Sequence, residues 1–253
     1  MNKLKKIKEI RKSLLKGETS IGSWIQIPNS SIAEIMGQSG YDWVAVDMEH
    51  GAVCNSILPD LFRALELGNT LPLVRVVQGS EKECKQALDS GAGGLIIPMI
   101  ESADQLKNVI SFSSWPPNGT RGVGFSRANL FGKNFDRYVE EAQQPFIVAM
   151  IENINALEQL DDILKVKGLD ALLIGPYDLS ASMNLTEKFK DQKFLDAIST
   201  IKDKASRANI PCGVHIVEPD KSELEKKIDD GYKFIPFSID SVVLEKFIRN
   251  PIL

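Results

Sequence analysis

Only two histidines occur in the 253 residues. One of them, His50, lies in the run Asp47-Met48-Glu49-His50-Gly51. Imidazole is the side chain whose ordinary pKa allows proton transfer near neutrality, so His50 is a candidate base, or else a satisfied loop histidine. Arg75 closes the apolar run LPLVRV. A guanidinium there is costly unless paired or bound to an anion. It reads either as a partner for Asp47 or as a clamp on a developing oxyanion. Glu152 follows the run FIVAMI, and Asp178 follows ALLIGP. If those runs are neighbouring strands, the strands carrying the two carboxylates lie about 4.8 Å apart. The carboxylates then repel, share a proton or hold a cation. With no His or Cys beside them, the cation would be hard, Mg²⁺ or Mn²⁺. Two carboxylates leave room on that cation for a bidentate 2-oxo acid. The plainer readings are an N-cap role for Asp178 and a surface ion pair for Glu152. The second histidine, His215 in GVHI, points to structure or to substrate contact.

Eight short β-rich runs must position these groups. They cover residues 21–27, 42–47, 71–76, 94–99, 146–151, 171–176, 211–216 and 233–238. Amphipathic helical patterns separate them, several ending in Gly or Asn as helix C-caps do. The runs show little strict alternation, as expected for strands covered on both faces. Eight βα units with no linker predict a (β/α)8 barrel, one domain over residues 1–253. A doubly wound open sheet is the competing layout, but no GxGxxG or GxxxxGK[ST] follows any run. In a barrel, the C-terminal strand ends carry the chemistry, and both histidines fall there. Leu4, Ile7, Ile10 and Leu14 recur at helical spacing, so an N-terminal amphipathic helix closes one end. The segment 115–132 (WPPNGTRGVGFSRANLFG) reads as a long loop with enough bulky side chains to order itself over something.

Composition excludes several classes. Lys and Arg number 30 against 34 Asp and Glu, a net charge of −4. This argues against nucleic acid or an anionic membrane as partner. No apolar run approaches the roughly 18 residues of a membrane span. Three cysteines without a CxxC suggest a reducing, cytoplasmic setting. No lysine lies at the C-terminal end of a predicted strand, which disfavours a Schiff base. No Gly-rich cradle follows runs seven and eight, so recognition through a phosphate is not expected.

The stretches SGYDWVAVDMEHG, LVRVVQGS, ALDSGAGGLIIPMIES, PPNGTRGVG, MIEN and LLIGPYDLSASM occur in order between residues 20 and 240. In this combination the chain resembles the HpcH/HpaI aldolase family, metal-dependent class II pyruvate aldolases on a (β/α)8 barrel. The resemblance implies that Glu152 and Asp178 hold Mg²⁺ or Mn²⁺, and that Arg75 holds the keto oxygen and stabilises the enolate. It implies that His50 takes part in acid–base chemistry through a water on the metal. Asp89 would pair with that histidine, in some oligomers from another subunit, and Asp47 would lie near the Arg and His. Backbone amides at Gly175, around Pro176 and in the GAGG turn would meet the pyruvate carboxylate. A homo-oligomer, a hexamer in many members, is implied too, with the C-terminal helix packed on a neighbour. Met150, His215 and the loop GFSRANLFG depart from the family pattern, while the metal pair is intact. The expected reaction is reversible cleavage of a 4-hydroxy-2-oxo acid to pyruvate and an aldehyde. The alternatives are a related lyase, synthase or 2-oxo acid decarboxylase, and a non-catalytic barrel serving as a binding subunit.

Overall fold

The structure is a computed structural model that describes residues 1–248. Residues 249–253 lie outside the described residues. Eight strands run β1 (Ser20–Ile25), β2 (Trp43–Asp47), β3 (Leu71–Arg75), β4 (Gly94–Ile97), β5 (Phe146–Ile151), β6 (Ala171–Ile174), β7 (Cys212–Val214) and β8 (Phe234–Ile239). They pair in parallel and in sequence order, and β8 closes on β1. All eight predicted runs are therefore strands of one closed barrel.

Helices precede and separate them. These are α1 (Lys3–Leu15), α2 (Ser30–Gln38), α3 (Leu58–Leu67), α4 (Glu81–Asp89), α5 (Ala103–Ser113) and α6 (Phe135–Ala142). The later ones are α7 (Ile154–Glu158), α8 (Leu160–Ile163), α9 (Pro176–Ser182), α10 (Gln192–Arg207), α11 (Lys221–Asp229) and α12 (Asp240–Phe247). No helix among the described residues is long and apolar enough to cross a membrane.

The period-two geometry of a strand divides the core in two. Trp24, Trp43, Leu71, Leu73, Phe146, Val148, Leu173 and Phe234 fill the barrel interior. Val44, Val46, Val74, Leu95, Ile147 and Leu172 face outward into the helix layer. Both sets are buried, which is why the runs did not alternate in sequence. Ile7, Ile10 and Leu14 of α1 join the interior cluster and plug the N-terminal end of the barrel. Each such burial is worth about 1.5–3 kcal/mol. Arg11 locks the plug, with Nε and Nη2 donating to the Asp170 carboxylate at 2.6 and 2.9 Å.

The segment 115–132 after α5 is irregular, as expected, apart from a 3-10 turn at Arg127–Asn129, and α6 follows it. What it orders itself over is not the strand C-termini of its own barrel. Helix α5 has carried the chain back to the N-terminal end, where the segment packs on α1, α3 and α4. Arg127 donates from Nη1 and Nη2 to Glu66 on α3, both at 3.0 Å. Buried Arg121 donates to the Tyr138 hydroxyl at 2.9 Å, and Lys3 of α1 pairs with Glu141 of α6 at 3.1 Å.

Candidate active site

At the C-terminal end the inward-facing positions turn polar. The β2–β3 register sets Asp47 directly opposite Arg75. Arg75 Nε donates to Asp47 Oδ1 at 2.8 Å and Nη2 to Oδ2 at 2.7 Å, a bidentate fork. Its Nη1 faces Glu49 Oε2 at 3.1 Å, and the guanidinium lies 4.6 Å from the Trp24 ring centroid. Gln26 Nε2 donates to Asp47 Oδ2 at 2.9 Å. The Glu49 and His50 backbone N–H groups both donate to Asp47 Oδ1. Burial pushes the Asp47 carboxyl up, but the bonds and charge of Arg75 outweigh it and hold the net value below the ordinary one. Asp47 is thus an ionised anchor for Arg75. His50 stands at the rim, its Nε2 3.9 Å from Glu49 Oε2.

Glu152 is buried just beyond β5. Its Oε1 accepts the Met99 N–H at 2.7 Å. Met99 takes φ 52°, an uncommon conformation for a residue with a side chain, and this turns its amide toward the carboxylate. Burial lifts the Glu152 pKa to about 7, with the negative charges of Glu49 and Asp178 adding to the rise. Asp178 in the first turn of α9 is exposed. The four charged groups Glu49, Glu152, Asp178 and Arg75 therefore share one electrostatic field. Among the described residues, no three His, Cys, Asp or Glu side chains form a ready-made metal cage.

Gly175 separates β6 from α9, and a Cβ there would lie 2.3 Å from Glu152 Oε2 and 2.8 Å from its Cβ. The glycine is what lets the carboxylate occupy its place. Gly175→Ala is expected to displace Glu152 and lower turnover by at least about tenfold, a modest share of a misplacement effect. Steady-state rates, with circular dichroism to confirm the fold, check this.

Two of the implied contacts are corrected. The GAGG turn (residues 91–94) links α4 to the start of β4, so it lies at the barrel's other end. Gly93 N–H donates there to Pro72 O at 2.8 Å, so within one chain the turn does not meet a substrate at the strand C-termini. The Gly175 amide is also occupied, donating to Ile151 O at 3.3 Å. Pro176 has no N–H, so the unpaired first-turn amides are those of Tyr177 and Asp178. Asp89, too, is at the far end, closing α4, where burial raises its carboxyl while Arg121 and Lys85 oppose the rise. Within one chain it does not meet His50.

His215 follows β7 and points inward, its ring 5.6 Å from Trp24. Burial lowers its pKa to about 4. A histidine kept neutral in the fold takes up its proton more readily when unfolded. Its contribution is complete above the ordinary value of about 6.5 and is lost as pH falls toward 4. The loss is on the order of 3 kcal/mol. Urea unfolding of the native chain and of His215→Leu between pH 7 and 4 checks this; the variant should show the smaller acid slope.

Glu49, Gln26, Trp24 and Met99 were not among the candidate residues. Glu49 was the most accessible to sequence reasoning, lying between Asp47 and His50. Nothing local marked the other three, because their roles come from the closure of β1 on the barrel and from one backbone angle.

The fold and this polar rim define a barrel enzyme of the carbon–carbon lyase class. The HpcH/HpaI aldolase/citrate lyase family model matches residues 20–246, and the chain belongs to that family. It is 34% identical over 243 residues to 2-keto-3-deoxy-L-rhamnonate aldolase of Salmonella paratyphi A, covering 95% of this chain and 90% of the relative. It is 34% identical to the hydroxypyruvate/pyruvate aldolase of Roseobacter denitrificans, covering 92% and 91%. A family protein of Burkholderia cenocepacia J2315 superposes with a TM-score of 0.88 at 27% identity, over 94% of this chain and 95% of that one.

Proposed function

We propose that the chain cleaves a 4-hydroxy-2-oxo acid reversibly to pyruvate and an aldehyde, with a divalent cation held by Glu152 and Asp178. The observation that carries this reading is the position of Arg75. Its guanidinium is fixed by Asp47 and Glu49 in the same charged field as Glu152 and Asp178. Both similar aldolases named above support the reaction class.

The donor set fits a hard cation. Glu152 is buried amid like charges that raise its pKa, and Arg75 is already engaged with Asp47 and Glu49. A cation would relieve that repulsion, and oxygen donors favour Mg²⁺ or Mn²⁺. When bound, it supplies Lewis acidity toward the 2-oxo group. Arg75 holds the keto oxygen and gains strength as negative charge develops there. Asp47 keeps the guanidinium in register, since a rotated fork would miss the oxygen. His50 relays the proton of the C4 hydroxyl as the C3–C4 bond breaks, and returns one to C3 of the pyruvate enolate. The first-turn amides of Tyr177 and Asp178 meet the substrate carboxylate, as helix N-termini do.

Asp89 would serve His50 only from a second copy of the chain. A homo-oligomer is therefore part of this reading. The exposed apolar residues Val243, Leu244, Phe247 and Ile248 at the end of α12 support it. A pyruvate-release screen over 4-hydroxy-2-oxo acids with Mn²⁺ tests the function. Cleavage that survives EDTA but is trapped by borohydride would overturn the metal reading in favour of a Schiff base.

A further inference from the structure

Glu152 is aimed by a turn whose own shape needs support. Its Oε1 accepts from the Met99 N–H at 2.7 Å, and that amide faces it only while Met99 keeps φ 52°. A residue with a side chain holds such an angle only where its surroundings over-determine it. The Met99 side chain is no anchor, being 40% exposed. The backbone around it is fixed instead. Ile100 is fully buried, and its N–H donates to Met150 O of β5 at 3.3 Å. Gln105, in the first turn of α5, spans the turn from the other side. Its Nε2 donates to Met99 O at 3.1 Å, and its Oε1 accepts from the Glu101 N–H at 2.9 Å. Glu101 is tied in turn to α7, with Asn155 Nδ2 donating to its Oε2 at 3.0 Å. One side chain thus supplies both a donor and an acceptor, which an amide can do and an ionised glutamate or lysine cannot.

The plainer role for this residue is a helix cap. Ser102 is the N-cap of α5, and Gln105 stands three residues on, the spacing of a capping box. In that motif the glutamine reaches back to the N–H of the N-cap residue itself. Gln105 reaches further, to the amide of Glu101 and the carbonyl of Met99. Those bonds shape the turn rather than the helix end. A groove of about 830 Å³ runs beside it, lined by Met99, Glu101, Gln105 and Asn155 among others, so hydrogen bonds rather than close packing hold the side chain.

We propose that Gln105 is a positioning residue for the cation site: it brackets the Met99 turn, so that the Met99 amide holds the Glu152 carboxylate in the orientation a divalent cation needs. This rests on the reading of Glu152 as a ligand of that cation. Gln105 acts through Met99 rather than on the cation itself. Outer partners that orient a metal ligand are worth roughly ten- to a hundredfold in affinity.

The test uses the full chain with Gln105→Ala, with Met99→Gly and with both. In calorimetric titrations at pH 8, Gln105→Ala should bind Mn²⁺ about tenfold more weakly than the native chain. Glycine takes a positive φ about as readily as a negative one, so it depends far less on the bracket. Adding Gln105→Ala to Met99→Gly should therefore weaken binding by no more than about twofold. A lost helix cap would not be relieved by glycine. Hydrogen exchange followed by NMR before Mn²⁺ is added reads the turn directly. The Met99 amide should exchange at least about tenfold faster in Gln105→Ala than in the native chain, while the amides of β2 keep their rates. Unchanged Mn²⁺ affinity in Gln105→Ala, an equal loss in both backgrounds, unchanged Met99 exchange, or a rise shared by β2 would overturn the proposal. If the native chain binds no Mn²⁺ while Met99 exchange still depends on Gln105, the bracket stands and the cation reading fails instead.

Discussion

Arg75→Ala is expected to lower kcat by roughly 10²–10³-fold, the usual cost of removing one preorganised oxyanion donor. Substrate binding should change less, because charge on the keto oxygen grows mainly as the C3–C4 bond breaks. A fall in kcat with KM nearly constant therefore separates this role from simple anchoring. The same substitution has a structural cost. Asp47, whose side chain is 1% exposed, loses a bidentate partner and stays buried with Gln26 and two backbone amides. Breaking one side of a buried pair typically costs about 3–5 kcal/mol. The double variant Arg75→Ala/Asp47→Asn should regain part of that stability and none of the rate. Arg75→Lys keeps the charge but not the fork, so its rate should stay well below that of the native chain. A native rate in Arg75→Ala would remove the guanidinium from the chemistry.

The expected strand ends came from local apolar runs, and the closed barrel agrees because each run is buried on both faces. His50, Arg75, Glu152 and Asp178 were legible for the same reason, since each lies at or shortly after the C-terminal end of a strand. What local sequence patterns do not place are the elements at and beyond helix ends. Asp89, the GAGG turn and the segment 115–132 all lie where a helix has returned the chain to the N-terminal face. Their position is dictated by the alternation of the βα unit, which residue chemistry alone does not express. Trp24 was hidden differently. Its place depends on β8 pairing with β1, a contact between the first and last strands that no local pattern contains. Met99 owes its role to a single positive φ, and methionine carries no sequence signal for that angle.

The pH dependence of cation binding should show a break near the elevated Glu152 pKa of about 7. In the cation-free chain this carboxyl is largely protonated below that value, because burial and the charges of Glu49 and Asp178 oppose its ionisation. A divalent cation needs the carboxylate, so binding must expel the proton. Below about pH 7 the half-saturating Mn²⁺ concentration should therefore climb by up to about tenfold per pH unit, and above it the curve should flatten. The sign for folding is opposite. A raised carboxyl pKa stabilises the cation-free fold below the ordinary value of 4.5, and that contribution is lost as pH rises through about 7. Cation-free protein should accordingly weaken toward pH 8, where added Mn²⁺ protects it most. Glu152→Gln carries no proton to expel and no charge to offer. It should bind Mn²⁺ weakly at every pH, lose the break and lose the cleavage activity. Calorimetric Mn²⁺ titrations at pH 6, 7 and 8 on both chains decide this. A pH-independent affinity in the native chain would mean that Glu152 is not the cation's ligand, leaving Asp178 and Glu49 as the carboxylates to examine next.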